Sequence, residues 1–192
     1  MAVLDDLLPD LAVHISQVPA FIARPMLRQA VQTFCQESFF WQLEQDIVLT
    51  GAPRYELTIP EGLLVAGIVA AALDGRELRQ GFDYELSGDE KAVVPLKTLA
   101  VGSTLRLAVA VKPARKSELV DDNLLEHYAM PIAEGAAAKL GANEGRAWAL
   151  SKGQIVAYER NFKAAYQDAR KRALNHASRL YEAPTRHKFF GG

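Results

Sequence analysis

The chain has 192 residues, of which 49% are hydrophobic and 23% charged, with a formal net charge of −1. This ordinary globular composition allows one sizeable core or two small ones, and it excludes a whole-molecule field aimed at nucleic acid or a membrane. A single cysteine, Cys35, excludes an intrachain disulfide and a cysteine-based zinc cluster and fits a reducing compartment.

The first residues, Met-Ala-Val-Leu-Asp-Asp, are acidic and lack the basic region of a signal peptide, so a cytoplasmic product, or one packaged from the cytoplasm, is expected. No apolar span of about 18 residues runs without polar breaks, and no transmembrane helix is expected. Residues 3–16 read as one or two short helices interrupted at Pro9, and Val18-Pro19 breaks the chain. A helix is expected from Phe21 or Pro25 to Trp41, with Pro25 in the first turn, where its missing N–H is not needed. Leu27, Ala30, Val31, Phe34, Cys35, Ser38 and Trp41 recur at spacings of three and four and form one apolar stripe.

The stretch from Ile47 to Lys112 is β-rich. Residues 54–59 alternate polar and apolar until Pro60-Glu61-Gly62 ends them. Leu63 to Leu73 is a nearly unbroken apolar run and reads as a strand buried on both faces. Asp74-Gly75 is a hairpin dipeptide. Phe82–Leu86 alternates again, Ser87–Glu90 turns the chain, and Thr104–Val111 is the last strong strand. Together these predict an antiparallel sheet or small sandwich of roughly 60 residues, close to the lower size limit for a self-sufficient core.

Lys112–Ser117 is a polar exit. Asp121 or Asp122 then caps a helix that buries Leu124, Leu125, Tyr128, Ile132, Ala136 and Leu140 and stops at Gly141. Pro131 is expected to kink or split it. Gly135-Ala136-Ala137-Ala138 leaves room for a neighbouring helix. A loop anchored by Trp148 follows, then Ser151 with Gln154 at capping-box spacing. The last helix runs to about Tyr181, with Ile155, Phe162, Tyr166, Ala169, Ala173, Ala177 and Leu180 as its buried stripe and Arg160, Lys163, Arg170 and Lys171 on other faces. The fold class expected is α+β: helical regions 1–46 and 113–182 interrupted by a β-rich insert, 47–112, with an extended C-terminal arm, 183–192.

The search for chemistry is negative. The sequence has no phosphate-cradling glycine loop, no His-Glu-x-x-His and no Gly-x-Ser-x-Gly. His14, His127, His176 and His187 fall in four different segments. Cys35 lies on an apolar stripe and reads as a small buried hydrophobe rather than a nucleophile. Asp121-Asp122 reads as a helix start rather than a catalytic dyad. No catalytic residue, cofactor or metal is expected.

Charge is distributed unevenly. Met1–Glu61 holds eight acidic and three basic residues, net −5, whereas Arg160–Gly192 holds eight basic and two acidic, net +6. Such an imbalance suits an intramolecular match, a repeated subunit contact or a charged partner. Arg160, Lys163, Arg170 and Lys171 are the candidate subunit-interface residues. Arg186, His187, Lys188, Phe189 and Phe190 in the arm are candidates for partner binding, because two adjacent exposed phenylalanines call for a surface to dock on.

Several features occur together in order: Ala30-x3-Phe34-Cys35 on a helix ending at Trp41, Leu-Asp-Gly-Arg-Glu-Leu at 73–78, and Val-Lys-Pro at 111–113. Glu134-Gly135-Ala136, Trp148 and the Phe162–Arg170 segment follow. This set, spread over roughly residues 20–182, resembles the head-to-tail adaptor proteins of tailed bacteriophages, of the podovirus type also called tail tubular protein A. The resemblance implies a homo-oligomeric, dodecameric ring at the head–tail junction of the virion, between a portal protein and a tail nozzle protein. It further implies a channel passing double-stranded DNA without sequence-specific binding, no cofactor, no turnover, no membrane, and a C-terminal arm reaching the portal. Another neck or tail-completion structural protein, or a small DNA-binding accessory protein, is the alternative.

Overall fold

The computed structural model describes residues 2–181. These form a mixed α+β fold with four helices and antiparallel sheets. In chain order the elements are β1 (Ala2–Val3), α1 (Leu8–His14), α2 (Ala20–Ser38), β2 (Gln42–Val48), β3 (Tyr55–Glu56), β4 (Leu63–Leu73), β5 (Arg76–Glu77), β6 (Tyr84–Leu86), β7 (Ala92–Pro95), β8 (Thr104–Pro113), β9 (Leu119–Val120), α3 (Asp122–Gly141) and α4 (Lys152–Ala177). Single 3-10 turns cover Leu4–Leu7 and Ser178–Tyr181.

The helices pack around aromatic rings. Phe34 of α2 lies 4.9 Å from Tyr128 of α3 and 6.1 Å from Phe162 of α4, ring centre to ring centre, so one side chain joins three helices. All seven residues of the α2 stripe are buried, although Trp41 lies beyond the helix end. The helix stops earlier because Phe39 takes a left-handed conformation at its C-cap (φ 55°) and returns its N–H to the carbonyl of Cys35. Gly135 lets α3 and α4 approach closely: a Cβ added there would lie 2.7 Å from Cγ of Phe162. Asp121 caps α3 by accepting from the N–H of Leu124, and Ser151 caps α4 in a reciprocal box with Gln154.

The prolines depart from expectation. Pro9 is in the first turn of α1, a position that tolerates a missing N–H, and so does not interrupt it. Pro25 lies inside α2, which already starts at Ala20. Pro131 neither ends nor divides α3, which continues from Asp122 to Gly141. Burial of Ile132, Ala133, Ala136 and Ala137 against the other helices outweighs one lost backbone bond.

The strands form three antiparallel groups: β2-β8-β4-β5, β3-β7-β6 and the short pair β1-β9. The Leu63–Leu73 run is β4, and Asp74 (φ 48°) with Gly75 (φ 84°) makes the two-residue turn into β5. Pairing over 54–59 is limited to Tyr55–Glu56. Burial on both faces belongs to β8 more than to β4. Leu105, Leu107, Val109 and Val111 are buried on one side of β8 and Ala108 and Ala110 on the other, while Leu64 of β4 is exposed. Ala108 and Ala70 accept Ala177 and Leu180 from the end of α4 and its 3-10 turn. β2 and β7 were not expected. β2 alternates, with Glu44, Asp46 and Val48 outward, immediately after the Phe39–Trp41 corner.

Candidate interaction surfaces

α4 presents a long basic outer face. At about 100° per residue, its buried stripe of Phe162, Ala169, Ala173 and Ala177 leaves Arg160 and Lys171 on the opposite side. These two lie three turns and roughly 16 Å apart along the axis. Lys163 and Arg170 occupy one flank together with the exposed apolar side chains of Val156 and Leu174. Among the described residues, Arg160, Lys163 and Lys171 have no ion pair. Arg172 is instead neutralised by Asp168 at 2.9 Å within the helix.

Arg170 behaves differently from the other three candidates. It donates to the carbonyl of Glu37 at 3.2 Å and stacks over the ring of Phe39 at 4.9 Å. It thus satisfies the exposed carbonyl end of α2, and Gly67 of β4 leaves space for that same ring, 3.3 Å from its ideal Cβ position. Arg186, His187, Lys188, Phe189 and Phe190 lie outside the described residues.

Three carboxylates of the acidic N-terminal region are ion-paired. Asp5 is held by Arg24 at 2.7 Å, Glu56 by Arg54 at 2.6 Å and Asp46 by Arg106 at 3.4 Å. Arg54 also reaches Asp89 at 2.9 Å. The hydroxyl of Ser87, the Arg54 guanidinium and the Lys91 N–H all hydrogen-bond the Asp89 carboxylate, and hold it well below the usual carboxylate range.

An apolar surface lies at the end of the sheets where Val48 and Thr104 pair. Phe82 and Val101 are each 70% exposed, and Val48 and Leu96 are exposed beside them. Leu96 is tied to the 79–83 loop by its N–H to the carbonyl of Asp83 at 2.9 Å, and Lys97 pairs with the Asp83 carboxylate at 2.8 Å. A cleft of about 340 Å³ lined by Pro53, Tyr55, Leu96 and Leu99 connects these loops to the one after β2. Phe82, Leu96 and Val101 lie in loops, where an apolar residue has no periodicity to mark it in the sequence.

Among the described residues, the groups with catalytic potential fall at three places. Cys35 is fully buried, and desolvation pushes its thiol far up, which suppresses the thiolate. His14 packs edge-on against Tyr158 at 5.0 Å. His127 and His176, remote in sequence, line one cleft of about 370 Å³ with Asp121 and Arg172. Asp121 is occupied as a cap and Arg172 by Asp168, and no cluster of three potential metal ligands exists among the described residues.

No protein-family model matches the chain, and no curated protein matches it in sequence.

Proposed function

We propose that this chain is the subunit of a phage head-to-tail adaptor: a dodecameric ring beneath the portal that joins it to the tail nozzle and surrounds the path of exiting double-stranded DNA. In this reading the four helices act as a bundle interrupted by an antiparallel β domain, with residues 183–192 as an arm toward the portal. The observation that carries it is the outer face of α4, where Arg160, Lys163 and Lys171 lack ion pairs among the described residues while the buried stripe below accounts for the helix's packing. A ring subunit must present different surfaces to its two neighbours, and an unneutralised basic helix supplies one of them or faces the DNA. The exposed end formed by Val48, Phe82, Leu96 and Val101 is suited to an axial partner such as the nozzle.

The test uses the full-length chain and a variant ending at residue 182, each mixed with the portal complex and followed by sedimentation or mass photometry. A stoichiometric ring with the full chain alone supports both adaptor and arm. Binding by both forms makes the arm secondary and assigns the contact to the helices. Absence of binding by either form removes the adaptor reading, and salt-dependent binding of duplex DNA would then favour the DNA-binding alternative.

A further inference from the structure

A second surface, on the far side of α2 from its buried stripe, is unrelated to the basic face of α4. Gln29, Gln32 and Gln36 recur on it at spacings of three and four, from Pro25 at one end to Glu37 at the other. Two adjoining clefts of about 420 and 540 Å³ share Gln29, Gln32 and Arg115 and so form one groove. The groove follows roughly 18 Å of helix, the length of about five extended residues.

Its floor is built from amides that already touch backbone. Gln32 donates to the carbonyl of Pro113 at 3.1 Å, and Gln36 donates to that of Ala66 at 3.2 Å. Gln29, in contrast, has no hydrogen bond among the described residues. The opposite wall carries Lys112, whose ammonium donates to the Gln36 oxygen at 2.6 Å and has no ion pair among the described residues, and Arg115, which likewise has none. Arg28 is weakly matched by Glu118 at 3.9 Å. Glu37, at the far end, is the one carboxylate lining the groove among the described residues, so positive charge is in excess.

We infer that this groove binds an extended, acidic segment of a partner polypeptide. A primary amide has one donor side and one acceptor side and so matches a peptide unit, and this molecule contains an example. Gln45 donates to the carbonyl of Thr58 at 2.9 Å and accepts from its N–H at 2.9 Å. Gln29 offers the same pairing to an incoming strand and the Gln32 oxygen, which accepts no hydrogen bond among the described residues, offers an acceptor, while Lys112 and Arg115 select carboxylates. The chain's own basic C-terminus, with Arg186 and Lys188, has the wrong charge for this wall.

The experiment titrates the full-length protein with a fluorescein-labelled hexapeptide of alternating Asp and Ala, ends blocked, followed by anisotropy and by the glutamine side-chain amide signals in NMR. Expected results are salt-sensitive binding, shifts at Gln29 and Gln32, and affinity about tenfold weaker for Arg115→Glu, where an attraction becomes a repulsion. Gln29→Ala, at an exposed position, weakens binding while leaving the melting temperature in place. Equal binding of the Lys–Ala counterpart, or an unchanged affinity in Arg115→Glu, overturns the inference. So does displacement by duplex DNA without amide shifts. A change in the protein's own assembly state on Arg115→Glu, with no peptide binding, assigns the groove to a second copy instead.

Discussion

Replacement of Gly135 by alanine tests the packing of α3 on α4 directly. In an isolated helix this change stabilises by about 1 kcal/mol, because glycine loses more backbone freedom on folding. Here the new methyl group would lie 2.7 Å from Cγ, 2.8 Å from Cδ2 and 3.0 Å from Cδ1 of Phe162. The ring cannot easily retreat, since Phe34 and Tyr166 pack against it at 6.1 and 5.6 Å. Overpacking of this kind costs about 1–3 kcal/mol, so the net effect is a loss of about 1 kcal/mol and a fall of about 2–4 °C in melting temperature. Gly153, with nothing within 4 Å of its ideal Cβ, is the control, and its change to alanine stabilises by up to about 1 kcal/mol. Urea unfolding of Gly135→Ala, Phe162→Ala and the double variant completes a cycle. With the ring removed, Gly135→Ala should recover its helix-propensity gain of about 1 kcal/mol. Stabilisation by Gly135→Ala in the intact background would refute the close approach.

Ser151→Ala removes the α4 capping box and should cost about 1 kcal/mol, read as a lower thermal midpoint with little change in helix content. Arg170→Ala should cost about 1 kcal/mol through its lost contacts with Phe39 and the Glu37 carbonyl, whereas Arg160→Glu with Lys171→Glu should leave the urea midpoint nearly unchanged and block assembly on the portal. Cys35 should resist iodoacetamide in the native protein and react once urea exposes it; rapid native alkylation would contradict the burial that raises its thiol. The carboxyls of Asp83, held down mainly by Lys97, and of Asp89, held down mainly by Ser87 and Arg54, should titrate by NMR below the ordinary aspartate value of about 3.9. Their pKa values are depressed in the folded state, so their contribution to stability is complete above that value and is lost as acid carries the pH down through the folded pKa values.

Legibility followed the distance over which each feature is determined. The Asp121 and Ser151 caps, the Asp74-Gly75 turn and the Leu27–Ser38 stripe each depend on residues within a few turns of one another, and all were readable. The small-residue stretch around Gly135 announced a close approach, but only the fold shows that Phe162 fills it. Pro131 does not split α3, although local propensity favours a break there, because the cost is offset by neighbours far away in sequence. β2 was obscured because Trp41 continues the helical spacing of α2 by one more step, although Phe39 has already ended the helix.

The same reasoning explains why composition was a poor guide to the surfaces. Of the acidic residues in 1–61, Asp5, Glu56 and Asp46 are paired by Arg24, Arg54 and Arg106, whereas Asp10, Glu44 and Glu61 have no ion pair among the described residues. Arg170 is likewise committed to the end of α2. What distinguishes an interaction surface is therefore the charge left after internal pairing. By that measure Arg160, Lys163 and Lys171 on α4, and Lys112 and Arg115 beside α2, are the positive groups without an ion pair among the described residues on which the two proposals rest. The interior is closed by alanine, phenylalanine and leucine, so charge without an internal partner is confined to the surface, where a helix face and a groove carry much of it.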